Sequence, residues 1–364
     1  MIEKIKIENY KNFKSFEFDG FKRVNLIAGK NNTGKTNLLE ALYLAENHLK
    51  PGAFLFIFLG RDGLSYSGNL GSDSVFFNQN FESGIREVFR TDSKSGAMGF
   101  TIILNDKLEY KAHYYNFELG SGSNASTVNP VILYSQKYNE NSPNRLVRFS
   151  GPELTYDKFF DLNQGNINYI GGLVKPSFIM AGFHEVINFG SIIGEAKELN
   201  RFDLLLKSLG NLLGNEGIEI EDIFMKDHLK TAITKVRFKD SDRSVKLSEL
   251  GFGSNRIVLI LSFILSHPKN SIIYIDEIDI GVHYSLQEKF WDVIYFLSKQ
   301  LEIQIFATTH SRDCFEAFAK VANQDENIGS GKFIRLKDNG VTIKAVEYDD
   351  EDIASAAESG IEVR

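Results

Sequence analysis

The sequence is short of cysteine, of long hydrophobic runs and of net charge, and each shortage excludes a class of protein. The single cysteine, Cys314, excludes an internal disulfide framework and fits a reducing compartment, so we expect a cytoplasmic protein with this thiol packed in its core. The apolar run 53–59 is far too short to cross a bilayer. Lys4, Lys6 and Glu8 alternate with isoleucine, which predicts a strand and no secretory signal. A formal net charge of −7 gives no overall attraction for nucleic acid, so such contact needs a local basic patch.

A glycine-rich segment between a predicted strand and a predicted helix is the strongest signal in the chain. Residues 29–36 read Gly-Lys-Asn-Asn-Thr-Gly-Lys-Thr, after the apolar run 24–28 and before a helical pattern over 37–45. The glycines let successive backbone N–H groups face phosphate oxygens, and the helix N-terminus adds its dipole. We expect Lys35 to reach the β- and γ-phosphates of ATP and Thr36 to bind Mg²⁺. The pattern predicts a P-loop whose nucleotide-binding residues are Gly29, Lys30, Asn31, Asn32, Thr33, Gly34, Lys35, Thr36 and Asn37.

Two carboxylates follow an apolar strand in the second half of the chain. The run 271–275 is continuous, as in a parallel strand covered on both faces, and Asp276 and Glu277 come next. Ligands of α/β proteins lie at this end of the strands. Asp276 is suited to hold Mg²⁺, and Glu277 to orient and deprotonate the attacking water. The alternative is an exposed acidic turn.

A histidine ends the next predicted strand, which covers 303–308. From this position His310 could hydrogen-bond the γ-phosphate and respond to its loss. The alternative is a surface histidine at a strand end. The catalytic candidates are therefore Glu277, His310 and Lys35.

A second glycine-rich segment, 247–256, precedes an apolar helix predicted over 256–265. Its glycines and serine at a helix start form an anion nest. Because the P-loop already holds one γ-phosphate, we expect this nest to close on the nucleotide of a second subunit. That geometry is a two-fold dimer with two ATP molecules in the interface. The alternative is an ordinary helix N-cap.

The order of predicted elements indicates an α/β protein, a P-loop fold with a mixed sheet and flanking helices. Residues 1–50 and 245–364 form this domain, and 51–244 form a mixed α/β insertion, β-rich at first and then a helical lid or arm. The sequence lacks sustained heptads, which excludes long coiled-coil arms. Hairpins are predicted over 2–18, 100–119, 232–247 and 331–346, and further helices over 195–213 and 284–301.

The four motifs in this order resemble the ABC-type ATPase head shared by SMC and RecF proteins and the OLD (overcoming lysogenisation defect) family. Residues 7–13, Ile-Glu-Asn-Tyr-Lys-Asn-Phe, are similar to the first hairpin of that group. Residues 276–283 and 308–311 resemble the OLD-like proteins called AAA family ATPases, as do the final residues 361–364. The likeness covers both ends of the chain and little of its middle.

The resemblance implies roles for particular residues. Residues 29–36 correspond to Walker A, Asp276 and Glu277 to Walker B, and His310 to the switch histidine. Asp279 lies in the D-loop, which communicates across the dimer. The signature residues implied to act in trans on the nucleotide are Gly251, Gly253, Ser254 and Arg256. Transporter signatures begin Ser-Gly-Gly, whereas here Phe252 or Ser254 takes the serine position, depending on the register. Gln136 is a candidate for the glutamine loop, with an exposed loop residue as the alternative.

The resemblance implies an ATP-hydrolysing dimeric switch that uses ATP and Mg²⁺. It implies a homodimer or a higher even-numbered oligomer, acting in phage defence or DNA metabolism with a separate effector such as a Toprim nuclease. Because few residues follow His310, we expect no Toprim domain in this chain, and the acidic run 349–352 is interpreted as favourable charge at a helix N-terminus.

Two other functions remain open. A chain that binds and processes DNA directly would use the basic stretch before the signature, whereas its acidic neighbours Asp227, Asp240 and Asp242 favour a solvated hairpin. The ATPase subunit of a membrane transporter is disfavoured by the signature, and we expect no membrane partner. The basic stretch consists of Lys226, Lys230, Lys235, Arg237, Lys239, Arg243 and Lys246.

Overall fold

The computed structural model assigns the strands and helices that position the motifs. The residues it describes are 1–48, 53, 56–57, 74–76, 98–118, 128–137, 144–148, 153–155, 157–161, 167–168, 177–180, 189–214, 219–228, 231–239 and 244–348. The strands in chain order are β1 (Lys4–Tyr10), β2 (Phe13–Asp19), β3 (Val24–Gly29), β4 (Ser74–Phe76), β5 (Met98–Leu104), β6 (Leu108–Glu118), β7 (Val128–Lys137), β8 (Asn144–Arg148), β9 (Glu153–Thr155), β10 (Asp157–Asp161), β11 (Ile167–Asn168), β12 (Phe178–Ile179), β13 (Ile220–His228), β14 (Thr231–Phe238), β15 (Ser244–Lys246), β16 (Ile272–Ile275), β17 (Gln304–Thr308), β18 (Gly331–Asp338) and β19 (Ile343–Tyr348). The longer helices are α1 (Lys35–Glu46), α2 (Phe189–Glu198), α3 (Phe202–Leu213), α4 (Phe252–Ser266), α5 (Tyr284–Gln300) and α6 (Arg312–Ala322).

The central sheet brings the nucleotide motifs together. Within the described residues its strand order is β12-β16-β17-β3-β18-β19, with β12 to β18 parallel and β19 antiparallel. The P-loop strand β3 therefore lies beside β17, which in turn lies beside β16. The carboxyl ends of these three strands meet at one edge, where α/β sheets bind ligands.

Two hydrophobic cores cover the faces of this sheet. Tyr274 and Phe306 point into the core that contains α1 and the first hairpin, whereas Ile273 and Ile305 point into the core that contains α2 to α6. Burial on both faces explains why β16 and β17 are continuous apolar runs. The predicted α/β architecture, with a mixed sheet and flanking helices, is confirmed.

A second, antiparallel sheet joins the first hairpin to the middle of the chain. Its order within the described residues is β11-β10-β8-β7-β6-β5-β1-β2. Residues Ile5 to Glu8 of β1 pair with Leu104 to Thr101 of β5. Strands on both sides of residue 50 thus belong to one sheet, a long-range pairing that the sequence pattern does not reveal.

Most predicted elements are confirmed, with two corrections. The helical pattern over 195–213 belongs to two helices, α2 and α3, because the chain turns at Asn200, which has a φ of 55°. Gln136 lies inside β7, paired with Tyr110, instead of in a loop after a shorter strand. The turn 240–242, the acidic run 349–352 and the segment 361–364 lie outside the described residues. Among the helices that are described, none has both the length and the apolar character to cross a bilayer.

Candidate functional site

Two glycines shape the loop between β3 and α1. Gly29 has a φ of 146°, and a Cβ there would lie 2.6 Å from the carbonyl oxygen of Leu336. Gly34 has a φ of 89° and precedes the first turn of α1, and a Cβ there would lie 2.8 Å from Asn12 Nδ2. Both positions therefore require glycine for conformation, and Gly29 requires it for space as well.

Lys35 folds back over this loop. Its Nζ donates hydrogen bonds to the carbonyl oxygens of Gly29 and Lys30, at 2.9 and 3.0 Å, and lies 3.4 Å from His310 Nδ1. Burial disfavours the ammonium and lowers the pKa of Lys35 to about 8, although nearby carboxylates at Asp276 and Glu277 act in the opposite direction. The loop thus holds the partly desolvated ammonium of Lys35, which an anionic ligand bound there would stabilise.

Asp276 connects the P-loop to strand β17. Thr36 Oγ1 donates to both carboxylate oxygens of Asp276, at 3.1 and 3.0 Å. Thr308 Oγ1 donates to Asp276 Oδ1 at 2.6 Å and accepts from the N–H of Glu277 at 2.8 Å. Thr308 thereby fixes both members of the acidic pair, a role that its position before His310 could have suggested.

Glu277 and His310 face each other across the edge of the sheet. Glu277 adopts a φ of 49°, which turns the chain away from β16. Its Oε1 lies 3.8 Å from His310 Nε2, and the two side chains are 33% and 36% exposed. Burial and the neighbouring carboxylates of Asp276 and Asp279 raise the pKa of Glu277. A raised pKa makes this carboxylate a better proton acceptor.

Lys35 and Thr36 line one cleft of about 1230 Å³ together with Glu277 and His310. Asn12, from the β1–β2 turn, was missed in the sequence: its Oδ1 accepts from Asn37 Nδ2 at 2.7 Å. The lining residues are Asn12, Lys30, Asn31, Asn32, Gly34, Lys35, Thr36, Asn37, Glu277 and His310.

Residues 251–256, the expected signature, are not among the residues that line this cleft, and Gly253 packs against Gly281 of the same chain. A Cβ on Gly253 would lie 2.2 Å from the carbonyl oxygen of Gly281, which itself has a φ of 77°. Gly251 and Ser254 lie with Gly253 around the start of α4. Asp279 accepts a hydrogen bond from Thr309 Oγ1 at 2.6 Å, and burial raises its pKa.

Arg256 is placed differently from the rest of the signature. The residue is 2% exposed, and its Nη2 donates to the carbonyl oxygens of Asp276 at 3.0 Å and Glu277 at 3.4 Å. It therefore faces the interior of its own chain instead of a surface open to a second subunit. Its position supports a role in positioning the acidic pair.

The residues expected to bind Mg²⁺ have suitable chemistry. Mg²⁺ prefers oxygen ligands and is commonly held by one or two carboxylates together with substrate phosphates. The hydroxyl of Thr36 and the carboxylate of Asp276 supply such oxygens within hydrogen-bonding distance of each other. The residues present therefore fit a magnesium ion bound together with a nucleotide.

Comparison with known proteins agrees with this geometry. Residues 1–171 and 174–315 match the family described as AAA ATPase domain. The chain is 24% identical over 373 residues to an "ATP/GTP phosphatase" of Helicobacter pylori, covering 93% of this chain and 92% of that protein. It is 40% identical over 50 residues to the DNA replication and repair protein RecF of an Exiguobacterium species, covering 13% of each.

Solved SMC heads are also similar. A head bound to the C-terminal winged-helix domain of ScpA is 14% identical with a TM-score of 0.48, covering 96% of this chain and 97% of that one. The SMC head of Thermotoga maritima is 13% identical with a TM-score of 0.42, covering 96% and 99%. The recognition of an AAA family ATPase is confirmed, because the match over most of the chain shows that it belongs to the AAA ATPase domain family.

Proposed function

We propose that this protein binds ATP with Mg²⁺ and hydrolyses it to ADP and phosphate as a dimeric, OLD-like molecular switch. The observation that carries the proposal is the convergence of Lys35, Asp276, Glu277 and His310 at one sheet edge, although they come from distant parts of the sequence. The family membership supports the same chemistry.

Each of these residues has a task in hydrolysis. The P-loop amides and Lys35 bind the β- and γ-phosphates, and Thr36 and Asp276 hold Mg²⁺, which when bound neutralises charge on the phosphates. The oxygen of a water molecule attacks the γ-phosphorus, and the bond to the β,γ-bridging oxygen breaks. Glu277 accepts the proton of that water, and His310 hydrogen-bonds the γ-phosphate and responds to its departure.

The position of the signature segment supports a dimer. Gly253 packs against Gly281 of its own chain, and Gly251, Gly253 and Ser254 are not among the residues that line the cleft. A second copy related by a two-fold axis would place them over the nucleotide of the partner subunit. Residues 1–50 and 245–364 would then form the dimerising ATPase domain, and residues 51–244 the insertion that responds to it.

The biological process in which this switch acts is proposed from the resemblance to OLD-like proteins. The OLD-like motifs favour a cytoplasmic role in phage defence or DNA metabolism, alongside a separate effector such as a Toprim nuclease. The nucleotide-driven closing of two heads would supply the signal to that effector.

Sizing the Glu277→Gln variant with ATP and Mg²⁺ tests the proposal. We expect a stable nucleotide-bound dimer, because the proton acceptor is lost while the binding residues remain. Hydrolysis should fall by about 10²-fold to 10⁴-fold, as when a general base is removed. The same variant with ADP, and a Lys35→Ala variant with ATP, should stay in the smaller form. Equal sizes in all of these conditions would contradict the switch.

A further inference from the structure

The side-chain amide of Asn12 joins the β1–β2 turn to the P-loop and to the helix that follows it. Its Nδ2 donates to the carbonyl oxygen of Asn32 in the loop at 3.4 Å, and its Oδ1 accepts from Asn37 Nδ2 on α1 at 2.7 Å. A backbone carbonyl can only accept, which fixes the orientation of the Asn12 amide. Both polar atoms of this side chain are therefore used, one toward each side of Gly34.

The bond to Asn32 acts on the peptide that shapes the loop. Asn32 has a φ of 64°, a left-handed conformation that is uncommon outside glycine. In a trans peptide the carbonyl and the next N–H point to opposite sides. With its carbonyl held by Asn12, this peptide directs the N–H of Thr33 to the carbonyl oxygen of Lys30, at 3.3 Å. The same carbonyl oxygen accepts from Lys35 Nζ at 3.0 Å, so Asn12 acts on the turn that holds Lys35.

The turn that carries Asn12 is itself fixed to the rest of the domain. Phe13 is fully buried, and Lys11 forms an ion pair with the buried Glu40 of α1. A Cβ on Gly34 would lie 2.8 and 2.9 Å from the amide nitrogen and oxygen of Asn12, which places this side chain directly beside the loop. A support anchored in this way holds the loop in shape before a nucleotide arrives, and preorganisation of this kind raises affinity.

We infer that Asn12 is a positioning residue that holds the P-loop in its phosphate-binding conformation. The inference rests on the proposed ATP binding and deepens it, because it gives a task to a residue outside the P-loop itself. Since Asn12 acts through the loop, its loss should weaken every ligand that the loop binds by its phosphates, whatever base or sugar the ligand carries. A direct contact of Asn12 with base or sugar would instead spare an inorganic ligand.

Titration calorimetry of the full-length Asn12→Ala variant tests the inference, with Mg²⁺ and either a non-hydrolysable ATP analogue or inorganic triphosphate. We expect affinity for both ligands to fall by about tenfold, as on the loss of one or two ordinary hydrogen bonds. In steady-state hydrolysis of ATP, KM should rise by a similar factor. The value of kcat should change by less than about twofold, because a bound triphosphate restores the loop conformation.

Two further variants and a control separate the amide from the shape of the side chain. Asn12→Gln keeps a donor and an acceptor on a longer side chain and should recover part of the affinity. Asn12→Leu, which is similar in size to asparagine but lacks polar atoms, should bind as weakly as Asn12→Ala. Ser15→Ala, on an exposed residue of the same hairpin, is the matched control and should bind both ligands like the wild type.

Three results would overturn the positioning role of Asn12. They are an unchanged affinity of Asn12→Ala for both ligands, a loss confined to the ATP analogue, and a lower kcat with an unchanged KM. Each is measured against a wild type that binds the ATP analogue. A wild type that bound neither ligand would contradict the proposed function itself, so the two failures are distinguishable.

Discussion

Arg256 Nη2 lies 3.0 Å from the carbonyl oxygen of Asp276, and this hydrogen bond joins the signature helix α4 to the acidic end of β16 within one chain. The guanidinium is buried, and burial lowers the pKa of Arg256. Among the described residues its Nε and Nη1 have no hydrogen-bond partner. Because part of its hydrogen-bonding capacity is unused, this buried cation adds little to the free energy of unfolding. Its main effect is to position Asp276 and Glu277.

The first prediction concerns the Arg256→Met variant. Methionine fills much of the same space but leaves the carbonyl oxygens of Asp276 and Glu277 without this donor, so the free energy of unfolding should fall by about 1–3 kcal/mol. Hydrolysis should nevertheless slow by about 10-fold to 100-fold, since misplacement of a catalytic group by a fraction of an ångström is costly. ATP affinity and kcat are measured separately.

The Arg256→Lys variant is the control for charge. A lysine keeps the cation but cannot reproduce the planar geometry of the guanidinium, so we expect only partial recovery of kcat. If Arg256→Met lowered ATP affinity and left kcat unchanged, the positioning role would be wrong.

The second prediction follows from the lowered pKa of Lys35. Below pH 8 the Lys35 side chain of the nucleotide-free protein is protonated and attracts the triphosphate. Above pH 8 this side chain progressively becomes neutral. Binding ATP must then restore the proton, so affinity should fall with rising pH, by up to about tenfold for each unit above the pKa. Titration calorimetry between about pH 7 and pH 10 measures this slope, together with proton uptake on binding.

Lys35→Arg is the matched variant for this pH series. Its guanidinium stays charged throughout the range, so its affinity, even if weaker, should hardly depend on pH. A wild-type affinity that stayed constant up to about pH 10 would mean that Lys35 keeps an ordinary lysine pKa.

The sequence predicts some contacts of this site and not others, and the reasons are physical. Lys35, Thr36, Asp276 and Glu277 follow buried strands, and the carboxyl ends of parallel strands must meet at one edge, so their convergence is predictable. The contact of Arg256 with the carbonyl of Asp276 is not, because main-chain carbonyls leave no trace in a residue pattern.

In the middle of the chain, too, the sequence predicts local structure but not the contacts between distant segments. Its hairpins follow from alternation and turn residues, which are local properties. The pairing of β5 with β1 joins residues about one hundred positions apart along the chain, and nothing local specifies which strand edge is used. Asn12 reaches the cleft only because that hairpin is held against α1.

The third prediction tests how the hairpin is held. Lys11, in the β1–β2 turn, forms an ion pair with Glu40 of α1, whose side chain is fully buried, and Tyr10 Oη donates to the same carboxylate at 3.3 Å. Lys11→Met removes the cation of this ion pair from a buried carboxylate. The free energy of unfolding should fall by about 3–5 kcal/mol, as when one partner of a buried pair is removed.

The double variant Lys11→Met with Glu40→Leu removes both charges and should recover most of this stability, because the buried charge is gone. Lys14→Met, on an exposed lysine of the same hairpin, should change stability by less than about 0.5 kcal/mol. Denaturant unfolding of the wild type, Lys11→Met, Glu40→Leu and the double variant gives the coupling energy of the pair. Because Asn12 follows Lys11 directly, the single variant should also weaken ATP binding. If the single and double variants were equally destabilised, the pair would not be what anchors the turn to the P-loop helix.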